Sequence, residues 1–342
     1  MIPKLEKHKN GLNYNGQAMA RHIDILQDPE TAIAAASETL AEGLPIGLPT
    51  ETVYGLAADA TNPAAITRIY ETKGRPRFNP LICHMSDLAM AERHAIFDPI
   101  SRKLAEAFWP GPLTLVLPLR PESDIHPLAT AGLDTIGIRV PQGFAGELIR
   151  AFGRPLAAPS ANTSGKISAT SADHVHDDLG ERITLILDAG ASVVGVESTI
   201  VKVEDGEMRL LRPGGLAAEE IERIAGQPLK RKNGASPAIE APGMLASHYA
   251  PGAAVRLDAT AVLPGEALIR FGRPDIAGAE NAAMVLDLSP SGDLAEAAAN
   301  LFDFMKRADG SGAAMIAFSS IPDEGLGEAI NDRLRRAAAP RE

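Results

Sequence analysis

A single cysteine, Cys83, stands among the 342 residues. It permits no internal disulfide and no cysteine-built zinc site, so an intracellular, cytoplasmic protein is expected. No run of about 18 apolar residues occurs, so no membrane-spanning helix is expected either. The opening Met1 to Gln17 is polar and lacks the apolar stretch of a secretory signal. Three catalytic fingerprints are missing as well. Gly165-Lys166-Ile167 fails the G-x-x-x-x-G-K-[ST] phosphate loop. No G-x-G-x-x-G opens a helix after a strand, which argues against a dinucleotide-dependent oxidoreductase. No G-x-S-x-G elbow supports a hydrolase. Positive charge is in deficit, with 33 Lys and Arg against 44 Asp and Glu and a net charge of −11. That argues against a surface built to grip nucleic acid throughout, but it leaves room for a local basic cleft and a weak RNA contact.

What is present is globular: 45% hydrophobic and 23% charged residues, in a chain long enough for two cores. Residues 1–18 read as a loose extension ahead of Met19. Asp28-Pro29, Asn62-Pro63 and Asp98-Pro99 each pair a capping side chain with a proline at the first helical position. The first helix should run to about Gly43 with Ile33, Ala36 and Leu40 on one face, and the third should carry Ile100, Leu104 and Phe108 on one face. Short β-branched runs, Leu81–Met85, Leu113–Leu119, Thr135–Val140, Ile183–Leu187 and Ser198–Val203, read as buried strands, as does Pro155–Pro159. Asp205-Gly206 reads as a two-residue hairpin turn. Strands without strict helix alternation predict a mixed sheet.

Composition shifts at Lys230 to Pro237, and the polar segment to about Pro251 reads as a linker. Beyond it, Ala254–Leu257, Ala267–Phe271, Ala283–Leu288 and Ala313–Phe318 alternate with helical patterns at Asp293–Arg307 and Leu326–Arg336. That predicts a small parallel βαβ sheet. The expected division is an extension over 1–18, a catalytic domain over 19–228, a linker over 229–252 and a small domain over 253–338.

Five polar segments sit beside predicted element ends: Pro49–Leu56, Lys73–Leu81, Ser160–Gly165, Glu197–Ile200 and Leu211–Gly215. Lys73, Arg75 and Arg77 place three cations in five residues, with Glu71 the one acid close by. A polyphosphate is their natural counter-ion, and a solvated basic loop is the alternative. Ser160–Gly165 could close backbone N–H groups around an anion or be an ordinary polar turn. Arg212 before Pro213-Gly214-Gly215 reads as a phosphate contact or a surface arginine. His84 and Cys83 lie in an apolar strand and fit packing as well as function. Thr135 and Arg139 share one strand face, and an arginine there needs a carboxylate or phosphate partner. His174 and His176 make a poor metal pair.

Taken together, Pro49–Leu56, Lys73–Leu81, Ser160–Asn162, Ser198-Thr199-Ile200 and Arg212-Pro213-Gly214 resemble the YrdC-type threonylcarbamoyl-AMP synthases over about residues 28–228. Ala241 to Pro251 resembles the linker of that family's long, two-domain form. The resemblance implies an α/β fold: a YrdC-like twisted mixed sheet with flanking helices and a basic cleft, followed by a smaller Rossmann-like parallel α/β domain. It implies a nucleotidyltransferase that joins L-threonine, bicarbonate or CO2 and ATP, with Mg2+ carried by the nucleotide. A downstream threonylcarbamoyl transferase complex would use the product on tRNA. Carried over by residue, Thr52, His84, Arg139, Ala158 and Ser198 would contact threonine. Arg75, Asn79, Thr135, Ser160, Ser168, Arg212 and Tyr249 would contact ATP. Lys73, Arg75, Ser160 and Asn162 would serve the phosphate and carbamate region. Tyr249 would act from the linker as a lid.

Overall fold

The computed structural model describes residues 19–231, 240–242, 247–273 and 275–340. The expected extension over residues 1–18 lies outside them, as do residues 232–239 and 243–246 of the expected linker. In chain order the first domain contains β1 (Arg21–Asp24), α1 (Pro29–Ala41), β2 (Ile46–Leu48), β3 (Gly55–Asp59), α2 (Pro63–Lys73) and β4 (Ile82–His84). Then come α3 (Leu88–His94), α4 (Pro99–Phe108), β5 (Leu113–Pro118), β6 (Thr135–Arg139), α5 (Phe144–Phe152) and β7 (Leu156–Ala157). It closes with α6 (Ala172–Leu179), β8 (Leu185–Asp188), β9 (Thr199–Glu204), β10 (Glu207–Arg212), α7 (Ala218–Ala225) and β11 (Leu229–Arg231).

These strands form one mixed sheet in the order β1-β8-β2-β3-β7-β4-β6-β5-β9-β10-β11. The capping chemistry places the helices as expected. The Asp28 carboxylate accepts from Thr31 N, Asn62 from Ala64 and Ala65 N, and Asp98 from Ile100 and Ser101 N. Asp205 and Gly206 both take positive φ in the turn between the antiparallel β9 and β10, as a tight hairpin requires. Three details differ from expectation. The inward stripe of α1 is Ala32, Ala36 and Leu40, with Ile33 at its margin. Pro155–Pro159 contributes two strand residues, Leu156 and Ala157, although its outer carbonyls still accept from Ala60 N and from Leu56 N on the β3 side. Leu229–Arg231, expected to open the linker, pairs in parallel with β10 and extends the sheet. Helices α3, α5, α6 and α7 are too short for the apolar period to have announced them, although Asp87 and Ser171 cap two of them.

The second domain holds β12 (Ala254–Arg256), β13 (Ala267–Arg270), β14 (Met284–Asp287), α8 (Leu294–Asp309), β15 (Met315–Phe318) and α9 (Leu326–Ala338). Its sheet is wholly parallel, in the order β12-β15-β13-β14, with α8 and α9 packed on it and on each other. Its core is not private. Val53, Ile167 and Val196 of the first domain join Leu301, Phe302 and Met305 of α8 in one buried cluster, and Tyr249 lies among them. Gly195 shows how close the approach is: at φ +76° its missing Cβ would lie 2.3 Å from the Ala298 carbonyl oxygen and 2.4 Å from Ala299 Cα. Only glycine fits there.

Candidate active site

Loops at the ends of the central strands meet in one cavity of about 50 Å3. Its walls include Thr52, Arg75, His84, Arg139, Ala158, Ser160, Ser198, Arg212 and Tyr249. Segments from Thr50 to Arg212 in sequence therefore converge. The alternation of the strands explains the convergence. On β4, Ile82 and His84 face the hollow while Cys83 turns into the core. On β6, Arg139 reaches the cavity while Thr135 and Gly137 line a smaller hollow beside it, roofed by Ala241 and Pro242.

Three arginines of the cavity are buried, and each is fixed by backbone carbonyls. Arg75 donates from Nε to Asn79 O (3.3 Å) and from Nη2 to Pro80 O (2.9 Å); burial pushes its pKa down to about 10. Arg212 donates from Nη2 to Ser198 O at 2.9 Å and to Ser198 Oγ at 3.2 Å. Arg139 donates from Nε to Gly111 O (3.1 Å) and from Nη1 to Thr52 Oγ1 (2.7 Å). Its Nη2 lies 2.7 Å from Glu51 Oε1, but the N–H is poorly aimed, and among the described residues neither atom has a hydrogen-bond partner.

The hydroxyls follow from this frame. Thr50 Oγ1 gives its proton to Val53 O (2.6 Å), so across the 2.9 Å contact Thr52 is the donor to Thr50. Thr52 Oγ1 in turn accepts from Arg139, which leaves this hydroxyl oriented rather than rotating. His84 Nδ1 lies 3.3 Å from the Ile82 carbonyl and must carry the proton there, leaving Nε2 a bare acceptor. Burial, then the Arg139 charge, push its pKa down to about 3. His248 from the linker is neutral for the same leading reason, at about 3, and its Nδ1 accepts from Tyr249 N at 3.0 Å. Cys83 is pushed up to about 12 by burial, which fits the packing role.

Other expected site residues stand behind these walls. Lys73 Nζ donates to the Ser160 and Asn162 carbonyls, and burial holds its ammonium well below the usual lysine range. The three cations of the 73–77 loop thus part: Lys73 braces the Ser160 loop, Arg75 lines the cavity, and Arg77 is exposed. The Asn162 amide nitrogen donates to Thr163 O (2.8 Å) and Lys166 O (2.9 Å), holding the same loop. Asn79 is buried under Arg75 and contributes its carbonyl. Ser168 Oγ donates to Glu197 Oε1 at 2.5 Å. His176 faces His22, while His174 faces Thr170 and Asp303, so the two histidines do not share a ligand.

Sequence reasoning did not single out Thr50, Glu51, Glu197, His248 or Arg333. The first four lie inside the polar segments already noted, where burial beside arginine was the missing signal. Arg333 lies on α9, and nothing local marks it.

Comparison with known proteins places the chain in a family. The model of a family spanning Sua5, YciO and YrdC proteins, described as "Telomere recombination", matches residues 38–214. The model described as "Threonylcarbamoyl-AMP synthase, C-terminal domain" matches residues 216–339. A threonylcarbamoyl-AMP synthase of Bacillus subtilis is 41% identical, over 93% of this chain and 96% of its own length. One from Pyrococcus abyssi is 40% identical over 91% of this chain and 95% of its own. The crystal structure of P. abyssi Sua5 complexed with L-threonine superposes with a TM-score of 0.82 at 38% identity, covering 90% of this chain and 94% of that one. On these matches the chain belongs to the two-domain Sua5 branch of the threonylcarbamoyl-AMP synthase family.

Proposed function

We propose that this chain is an L-threonylcarbamoyladenylate synthase: L-threonine, bicarbonate and ATP give threonylcarbamoyl-AMP, pyrophosphate and water, the water being released as bicarbonate supplies CO2. The observation that carries this reading is the convergence of Arg75, Arg139 and Arg212 with Thr52, Ser160 and Ser198 on one buried cavity. Arg139, with its poorly satisfied Nη2, is suited to the threonine carboxylate. A neutral His84 accepts a hydrogen bond from the amine or hydroxyl, and with a pKa near 3 it cannot retain a proton at neutral pH. Ser198 and the backbone at Ala158 complete the threonine side. Arg75, Ser160 and Arg212 face the nucleotide's phosphates, Thr135 the neighbouring hollow.

The chemistry suits these groups. The threonine amine captures CO2, forming a C–N bond, and loses a proton to give the carbamate. A carbamate oxygen attacks the α-phosphorus, and the bond to the β-phosphate's bridging oxygen breaks as pyrophosphate leaves. No protein nucleophile is required; positioning and charge neutralisation lower the barrier. The cavity's donor set does not make a cage for Mg2+: its carboxylate, Glu197, is engaged by Ser168 and Arg333, so any Mg2+ enters with the triphosphate.

A cavity of about 50 Å3 is far below the roughly 300 Å3 or more that a nucleotide-sized ligand occupies. Pro242, His248 and Tyr249 form part of its wall, and in this reading a nucleotide enters when that wall is drawn back. Closed again, it would shield a hydrolysable mixed anhydride from water. The buried arginines suit a small anion better than an RNA backbone. The product's consumer is then a transferase acting on tRNA in the same compartment, the cytoplasm.

The test is pyrophosphate release dependent on both threonine and bicarbonate. Arg75→Ala or Arg212→Ala should weaken ATP use at least about tenfold, each removing a charge-assisted contact worth about 1.5–3 kcal/mol. Full release by both variants would remove the phosphate assignment.

A further inference from the structure

Arg333 rides on α9 of the second domain, yet it reaches two residues of the first, Glu197 and Pro213. It is fully buried. Its Nε donates to Glu197 Oε2 at 3.0 Å and its Nη1 to the Pro213 carbonyl at 2.6 Å. Asp332 Oδ2 accepts from the same Nη1 at 2.9 Å, and the guanidinium carbon sits 5.3 Å from the centre of the Tyr249 ring. Glu197 and Pro213 are the chain neighbours of Ser198 and Arg212. These two segments are clasped together: Gly215 N donates to Glu197 O at 2.9 Å, and a Cβ on Gly214 would lie 2.3 Å from that oxygen. The second Glu197 oxygen holds Ser168. One side chain thus grips both halves of the clasp that presents Ser198 and Arg212, and supports the linker's aromatic ring.

We propose that Arg333 is a positioning residue of the synthase, by which the second domain fixes Ser198 and Arg212 from outside the cavity. The proposal rests on the synthase reading above. A lysine in its place offers a point charge but no planar fork, so it cannot span the Glu197 carboxylate and the Pro213 carbonyl while lying beneath the ring. A displacement of about 1 Å at a reacting group can cost on the order of a hundredfold in rate.

The experiment measures kcat and KM for threonine and ATP by pyrophosphate release, with full-length Arg333→Met and Arg333→Lys. Threonine Kd is measured by calorimetry without nucleotide, and melting temperature is recorded alongside. Glu328→Gln, which cuts the outer Arg231–Glu328 ion pair (2.7 Å) between the same domains, reports the effect of domain adhesion alone. A positioning role predicts kcat/KM lower by about a hundredfold in the methionine variant. It also predicts weaker threonine binding, partial recovery with lysine, and near-normal kinetics in Glu328→Gln. Since Ser168→Ala acts on the same carboxylate, combining it with Arg333→Met should cost less than the product of the two separate losses. Kinetics and threonine affinity within twofold of wild type in a folded Arg333→Met protein would overturn the proposal. If that variant does not fold, the same wild-type values in Arg333→Lys would overturn it. Should the unaltered protein release no threonine-dependent pyrophosphate, the synthase reading fails, and the calorimetric comparison still decides whether Arg333 positions the threonine side.

Discussion

Arg139→Met separates stability from recognition at this site. Methionine keeps an unbranched apolar stem and deletes the guanidinium. In the native protein the Arg139 and Glu51 side chains are 4% and 7% exposed, with 2.7 Å between the charged atoms. Deleting one partner leaves a buried, uncompensated carboxylate, a defect of about 3–5 kcal/mol. Total stability for a protein of this kind is about 5–15 kcal/mol, so the single variant should unfold at clearly lower urea. Adding Glu51→Gln removes the orphaned charge and should return more than half of the loss. Threonine affinity should not follow that recovery. Loss of a charge-assisted contact to the ligand carboxylate costs about 1.5–3 kcal/mol, on the order of ten- to a hundredfold in Kd, in both the single and double variants. Urea unfolding followed by circular dichroism, paired with calorimetric titration of threonine, reads the two effects separately. A double variant no more stable than the single would refute the buried-charge reasoning. Undiminished affinity in the single variant would remove Arg139 from the threonine site.

The buried histidines set a pH dependence. His84 and His248 titrate near 3 when folded against 6.5 for the free side chain, so the unfolded chain binds more protons between those values. Stability should hold above pH 6.5 and fall as the pH drops below it, by up to about 1.4 kcal/mol per unit for each histidine. Melting temperatures between pH 4 and 8 should show a shallower slope for His84→Gln, and an unchanged slope would contradict the assignment. Gly195→Ala should loosen the domain interface, losing at least about 1–2 kcal/mol from the left-handed backbone alone before any clash with Ala298 and Ala299. Wild-type melting and wild-type resistance of the linker to proteolysis would show that the interface tolerates the methyl group.

Much of the frame was legible because it is local. Caps at Asp28, Asn62 and Asp98, the Asp205-Gly206 turn and the alternating runs of the second domain act within a few residues, and the elements formed where expected. The sequence also carried the list of loops that would hold the chemistry, since Arg, Ser and Asn beside strand ends have few structural reasons to cluster. Which of them face the cavity was legible only in part, through the resemblance. Lys73 and Arg75 are two residues apart and equally basic, but the end of α2 turns Lys73 onto the Ser160 and Asn162 carbonyls and leaves Arg75 on the wall.

The capped helices α1, α2 and α4, the β9–β10 hairpin, the parallel second sheet and the family of the chain were legible in the sequence alone, through caps, alternation and loop motifs that act at short range. Tertiary structure alone decided what each polar side chain does. The neutral state of His84, the orientation of Thr52, the place of Tyr249 beside Arg333 and the grip of Arg333 on Glu197 all depend on which group lies a few ångströms away across the fold. Burial and through-space charge depend on that proximity, and chain separation does not report it: Glu197 and Arg333 meet although they belong to different domains.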